Sequence, residues 1–405
     1  MPDDTVAESG PDLQGTGDPP RQRATWAELF VDLVWVFAVT EIAGTLAASH
    51  GLGQVARTLL LFVPLWWGWV GVTLLGNASG AALDTARGRL TLFLLAGCAL
   101  GMTVAIPAAY QGQGLLFAGC YLALRCILWA EMHRHPVLRG RWVEPFFVSM
   151  TLSAPLFVVG GLLHGPWRLG LWAVAALIGV FNPTLLGRRF RGFRVQTEHL
   201  PERFGLFLII ALGETVVAVG GQAAGSSLDA VTLVTLVLGF FLIVSLWWSY
   251  FHYGAPAAQH SLETDAAQAR IVRDVFSYLH FLLIVGIICV AVGLKKLLAH
   301  PLDEPHTVAE LLLAPGAAVY LLGFCFARWR MFGAVGLPRF VGMLACVALA
   351  ALATLMPALA VAALVTAVVV GVNVTEAWLI NTGRHLLLLH LPHRRARQAA
   401  SAGER

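Results

Sequence analysis

The chain has 405 residues, with 27 Lys and Arg against 23 Asp and Glu and a formal charge of +4. Hydrophobic residues make up 58% and charged residues 12%, and mean hydropathy is +0.74, whereas a soluble domain carries roughly 25% charge. These values exclude an ordinary soluble enzyme and give no ground for nucleic-acid binding; they place the chain in a lipid bilayer.

Residues 1–27 are polar, acidic and rich in Pro and Gly (Asp3, Asp4, Glu8, Asp12, Asp18, Pro19, Pro20). They read as a disordered cytoplasmic tail with nothing like a cleavable signal. Twelve apolar runs follow, at approximately 29–48, 56–76, 90–110, 114–131, 146–163, 167–187, 203–221, 230–251, 274–297, 310–327, 338–356 and 358–380. Each is long enough to cross a hydrocarbon core of ~30 Å at about 1.5 Å per residue. Strand-like alternation is absent, which argues against an outer-membrane barrel. The expected fold is all-α, a polytopic bundle of about twelve transmembrane helices.

Charge sets the orientation. With the N-terminus inside, 22 of the 27 Lys and Arg fall in inner segments, 4 in outer ones (Arg57, Arg168, Lys295, Lys296), and Arg125 falls within a span. By the positive-inside tendency both termini are cytoplasmic, in a cell inner (plasma) membrane. The six cysteines (Cys98, Cys120, Cys126, Cys289, Cys325, Cys346) all lie within spans without paired spacing and read as apolar packing residues. Asn77-Ala-Ser79 and Asn373-Val-Thr375 match the glycosylation pattern at places where no sugar would be added.

Two stretches echo one another. Glu28-Leu-Phe-Val-Asp-Leu-Val-Trp-Val-Phe-Ala-Val-Thr-Glu41 opens the first span, and Glu202-Arg-Phe-Gly-Leu-Phe-Leu-Ile-Ile-Ala-Leu-Gly-Glu-Thr215 opens the seventh. Leu65-Trp-Trp67 returns as Leu246-Trp-Trp248, Leu83-Asp-Thr85 as Glu263-Thr-Asp265, and Tyr121-Leu-Ala as Tyr320-Leu-Leu. The expected organisation is a first six-helix repeat at 28–190, a basic linker at 191–201, a second repeat at 202–390 and a basic cytoplasmic tail at 391–405. Six is even, so both repeats enter from one side and are related by an axis along the membrane normal.

At these residues the chain resembles the bacterial low temperature requirement A (LtrA) family, through Glu28–Thr40 and Glu202–Glu214, with Trp247-Trp-Ser-Tyr-Phe251 and Tyr278-Leu-His280 adding to the match. The resemblance implies an integral membrane protein linked to growth in the cold, and no defined activity. Phe30-Val-Asp-Leu-Val-Trp-Val-Phe-Ala-Val-Thr40 is also distantly similar to the Phe-Ser-Asp signature of the endolysosomal potassium-channel family. That likeness implies a pore lined by the first and seventh helices; Val31 stands in place of its Ser and Leu206 in place of the second repeat's Asp.

Ionisable groups are expensive in hydrocarbon, so those inside spans are candidate site residues. Glu41 lies ~18 Å past Leu29 and Glu214 ~16 Å past Arg203, both near the midplane of corresponding helices. Two such carboxylates read as a cation or proton pathway, or else as hydrogen-bonded packing groups. Asp32 and Arg125 are at matching depths and are expected to form an ion pair, either fixing assembly or acting as an inner gate. His280 reads as a satisfied core histidine or a proton relay. Glu376 lines the same cavity or pairs with Arg384. Trp66, Trp67, Trp247 and Trp248 are candidates for a constriction.

The favoured function is an ion channel or a cation- or proton-linked transporter, with partners limited to the bilayer, a small cation or proton and a homodimer mate. No Walker or Rossmann glycine pattern and no metal-ligand spacing is visible, so no cofactor or metal is expected and no catalytic residue is assigned. A membrane enzyme acting on lipid or isoprenoid substrates, and a non-catalytic scaffold or sensor for growth in the cold, are the alternatives.

Overall fold

The computed structural model describes residues 24–134, 143–186, 195–225, 227, 229–265, 268–382 and 388–390. The expected N-terminal tail up to residue 23, the linker arginines Arg191 and Arg194, Arg384 and the tail 391–405 lie outside the described residues.

Among the described residues, twelve helices are long and apolar enough to cross a membrane. They are α1 (Trp26–Ala47), α2 (Leu52–Ser79), α3 (Ala86–Ala108), α4 (Gly114–Arg134), α5 (Pro145–Leu162), α6 (Gly165–Leu185), α7 (His199–Ala224), α8 (Ala230–Thr264), α9 (Gln268–Ala299), α10 (Glu310–Phe332), α11 (Leu337–Leu355) and α12 (Ala358–Asn381). The helix ends are written locally. Thr25 and Glu28 form a reciprocal capping box on α1, and the Thr85 hydroxyl accepts from Gly88 N to start α3. Asp229 caps α8 by accepting from Thr232 N, which holds its carboxyl below the usual range. Gly333 ends α10 in the left-handed region at φ 71°, a conformation free of cost only for glycine.

Two helices run further than their apolar stretches. At 35 and 32 residues, α8 and α9 are about 50 Å long at 1.5 Å per residue, well beyond the ~30 Å core. Each carries a π-helical segment, Ser249–Gly254 in α8 and Val272–Leu279 in α9. The stretch that the apolar pattern leaves as a connector is helical over Ala255–Thr264 and Gln268–Ile271. Near the start of α9, Asp274 is bound by both Arg273 and Arg330.

The order of neighbours is the same in the two halves. Around the first, α1 packs on α3, α3 on α4, α4 on α5, α5 on α6, α6 on α2 and α2 on α1; around the second, α7 packs on α9, α9 on α10, α10 on α11, α11 on α12, α12 on α8 and α8 on α7. The halves meet where α1 and α2 press on α7 and α9. The most enclosed helices are α2 and α9, with 78% and 83% of their apolar windows buried. Between α9 and α10 the approach is close enough to require glycine: a Cβ on Gly293 would lie 2.5 Å from Leu313 N, and one on Gly316 would lie 2.8 Å from Cys289 Cβ.

An aromatic core sits between the halves. Trp66 and Trp69 stack at 5.3 Å, with Phe204 and Phe207 edge-on or tilted against them and Phe281 beside Phe62. The Trp66 indole N–H donates to Ser277 O, and that of Trp35 to Leu65 O. Trp67 is buried in the same core, whereas Trp247 and Trp248 are 42% and 41% exposed. The four tryptophans therefore form no single constriction: the first pair is core and the second faces outward from α8.

Candidate functional site

The two sequence motifs meet at the beginning of α1 and α7. Glu28 and Asp32 are one turn apart on the buried face of α1, and His199 and Arg203 are one turn apart on that of α7. Arg203 Nη2 lies 2.9 Å from Asp32 Oδ1, with both side chains fully buried. The Trp69 indole N–H donates to the same oxygen at 2.8 Å. His199 Nε2 stands 3.2 and 3.3 Å from the two carboxylate oxygens of Glu28. Glu28 also accepts from Thr25 N at 2.9 Å. Gly76 makes the room: a Cβ there would fall 2.1 Å from Glu28 Oε1.

Asp32 is thus paired with Arg203 and not with Arg125, which corrects the sequence expectation. Matching depth was a sound guide, but α7 and not α4 lies against this face of α1. Arg125 instead lies over the Tyr121 ring, 5.0 Å from its centroid. The cluster retains hydrogen-bonding capacity: Asp32 Oδ2, Arg203 Nε and Nη1, and His199 Nδ1 are buried without a hydrogen-bond partner among the described residues.

Further along, α1 and α7 touch again. The Thr40 hydroxyl donates to Glu214 Oε2 at 2.6 Å. Glu41 follows Thr40 and so points about 100° away round the helix. It is half-buried, and its carboxylate has no hydrogen bond or ion pair among the described residues. Both glutamates lie past the middle of their helices, by ~7 Å for Glu41 and ~4 Å for Glu214 at about 1.5 Å per residue. Beside them the surface is open: a Cβ added to Gly44, Gly213, Gly220 or Gly221 would meet no atom within 4 Å.

His280 and Glu376 come together elsewhere. Both line a cavity of about 150 Å³ between α8, α9, α10, α11 and α12. His280 Nδ1 is 3.0 Å from Val275 O and its Nε2 2.8 Å from the Tyr250 hydroxyl. A carbonyl can only accept, so Nδ1 carries the proton and Nε2 accepts from Tyr250. Glu376 takes Arg339 in a bidentate pair, 2.7 Å from Nε and 2.8 Å from Nη2; Arg384, its expected partner, lies outside the described residues.

Several residues at these sites carry no warning in the pattern. Arg203 sits inside the second motif but reads as one more basic residue at a helix start. Arg168, counted as an outer-loop charge, is 2% exposed and donates to the carbonyls of Gly160, Leu163, Ala109, Gln111 and Gly161. It satisfies chain ends that have no further helical partner. Asn77 is no sugar acceptor in function: its amide group bonds both the N–H and the C=O of Gln196, fixing the start of the second half against α2.

A bundle of twelve membrane-length helices, with buried ion pairs where the first and seventh meet, defines a polytopic integral membrane protein. The family model for the bacterial low temperature requirement A protein (LtrA) matches residues 23–374, and the chain belongs to that family. It is similar to the uncharacterized protein RA0937 of Rhizobium meliloti (strain 1021), with 32% identity over 315 residues, 74% of this chain and 76% of that one. No solved structure matches it.

Proposed function

We propose that this protein passes a small cation or a proton across the membrane along α1 and α7, using Glu214 and Glu41. The observation that carries the reading is the Thr40–Glu214 hydrogen bond, a carboxylate held deep inside the apolar length of the bundle beside a second, unpaired one. Hydrocarbon solvates neither group, so each carboxylate belongs against water or protein. The Glu28–His199 and Asp32–Arg203 pairs close the other end of the same two helices, with spare polar atoms that a proton or water chain can use.

The identical neighbour order in the two halves supports a duplicated six-helix unit. The halves do not meet through equivalent faces, since the first offers α1 and α2 while the second offers α7 and α9. Such a head-to-tail contact leaves its two complementary faces open, α7 with α8 and α1 with α3. A second copy of the chain fills both, closes a ring of four units and encloses Glu41 and Glu214. The positive-inside bias supports a plasma-membrane protein with both termini of each copy in the cytoplasm.

The test is cation or proton flux in liposomes containing the purified protein, compared with Glu214→Gln and Glu41→Gln at equal incorporation. Removing either charge is expected to reduce flux roughly tenfold or more, the cost of about 1.4 kcal/mol at a binding step. Flux unchanged in both variants would overturn the pathway.

A further inference from the structure

The cavity beside His280 is a second site, separate from α1 and α7 and independent of the transport reading. It lies at the end of the bundle where α8, α10 and α12 finish and α9 and α11 begin. The π-helical turns Ser249–Gly254 and Val272–Leu279 form two of its sides. At Gly254 an added Cβ would lie 2.6 Å from Phe324, so the backbone comes right up to the ring.

Its charges do not balance. Arg339 is neutralised by the bidentate Glu376 and lies over the Phe324 ring at 4.2 Å. Arg328 is a second cation on the wall, with no ion pair among the described residues. Its Nε is buried without a hydrogen-bond partner, and so is the hydroxyl of Tyr253, which lines the same cavity. His280 has both ring nitrogens committed and supplies no counter-charge. The chain that follows α12, residues 383–390, contains no Asp or Glu. One positive charge and two unused donors therefore face a space of about 150 Å³. The rest of the lining is apolar: Val275, Leu279, Met331, Phe332 and Ile380.

We propose that this cavity binds an oxyanion, a phosphate or carboxylate, through Arg328 and the Tyr253 hydroxyl, with Arg339 held in place behind by Glu376. A guanidinium recognises such a group by charge-assisted hydrogen bonds, and the space takes the head group together with a few carbons of an attached chain. The anion is either the head of an acidic lipid, its chain running along the apolar wall, or a free ion from the aqueous side.

The test uses the full-length protein in a neutral maltoside detergent, titrated with inorganic phosphate and separately with dodecyl phosphate, with binding followed by calorimetry. Native protein is expected to bind at least one probe, and Arg328→Gln to weaken that binding about tenfold or more. Tyr253→Phe keeps the cavity intact and is expected to weaken it several-fold, which preserves the test if Arg328→Gln fails to fold. Binding of both probes with similar affinity identifies the free ion, and binding of the alkyl ester alone identifies the lipid. If native protein binds neither probe, or both variants bind like native, Arg328 is merely solvated and the proposal fails.

Discussion

The ion pair between Asp32 and Arg203 joins the first and seventh helices, and it can be broken from either side. Both side chains are fully buried, and Trp69 donates to the same Asp32 oxygen. Arg203→Gln leaves a carboxylate in the bundle with one indole N–H for company; Asp32→Asn leaves a guanidinium whose remaining nitrogens already lack partners. Stranding one member of a buried pair costs about 3–5 kcal/mol, roughly a 150- to 4,000-fold change in the unfolding equilibrium at about 1.4 kcal/mol per tenfold. The combined Asp32→Asn/Arg203→Gln variant removes both charges and is expected to regain part of the loss, with a coupling of about 2–3 kcal/mol. Reversible unfolding of the detergent-solubilised protein by sodium dodecyl sulfate, followed by tryptophan fluorescence, measures all four corners of the cycle. Single variants losing less than about 1 kcal/mol, the range of exposed pairs, would refute the claim that this contact clamps the halves together.

Other consequences are narrower. Arg168→Lys keeps the charge but cannot reach five carbonyls in different directions; a loss of about 2–4 kcal/mol is expected from the unpaired groups, read as a lowered thermal midpoint. Gly76→Ala places a methyl 2.1 Å from Glu28 Oε1; displacing that carboxylate from His199 is expected to cost about 1–3 kcal/mol, and unchanged unfolding would show that Glu28 has room to move. In nanodiscs the purified protein is expected to weigh as two chains. A monomer that still carries flux would rule out the closed ring of four units.

Much of the architecture could be read before any coordinates. The twelve spans follow from apolar length alone, because a chain in hydrocarbon must satisfy its backbone within each helix. What length cannot reveal is where a helix stops once it leaves the core, and so α8 and α9 extend over Ala255–Thr264 and Gln268–Ile271, which carry no apolar signature. Asp32 was legible as an ion-pair member because a lone carboxylate there is too costly; its partner was not, because depth ranks candidates and only packing selects between Arg125 and Arg203. Tryptophan pairs at echoing positions looked alike in sequence, yet Trp66 is core and Trp247 is outside. Hydrophobicity does not distinguish a lipid neighbour from a protein one. The cavity around Arg328 was invisible for a related reason: Tyr253, Arg328 and Arg339 come from three helices, and nothing local ties them.

The most direct test of the proposed role is flux through the double variant Glu41→Gln/Glu214→Gln, reconstituted beside native protein in liposomes with an imposed cation or proton gradient. Native protein is expected to dissipate the gradient and the double variant to approach the rate of empty vesicles, while its unfolding midpoint stays near native because neither carboxylate belongs to the buried clamp. Equal rates for the two proteins would contradict a pathway built on these side chains.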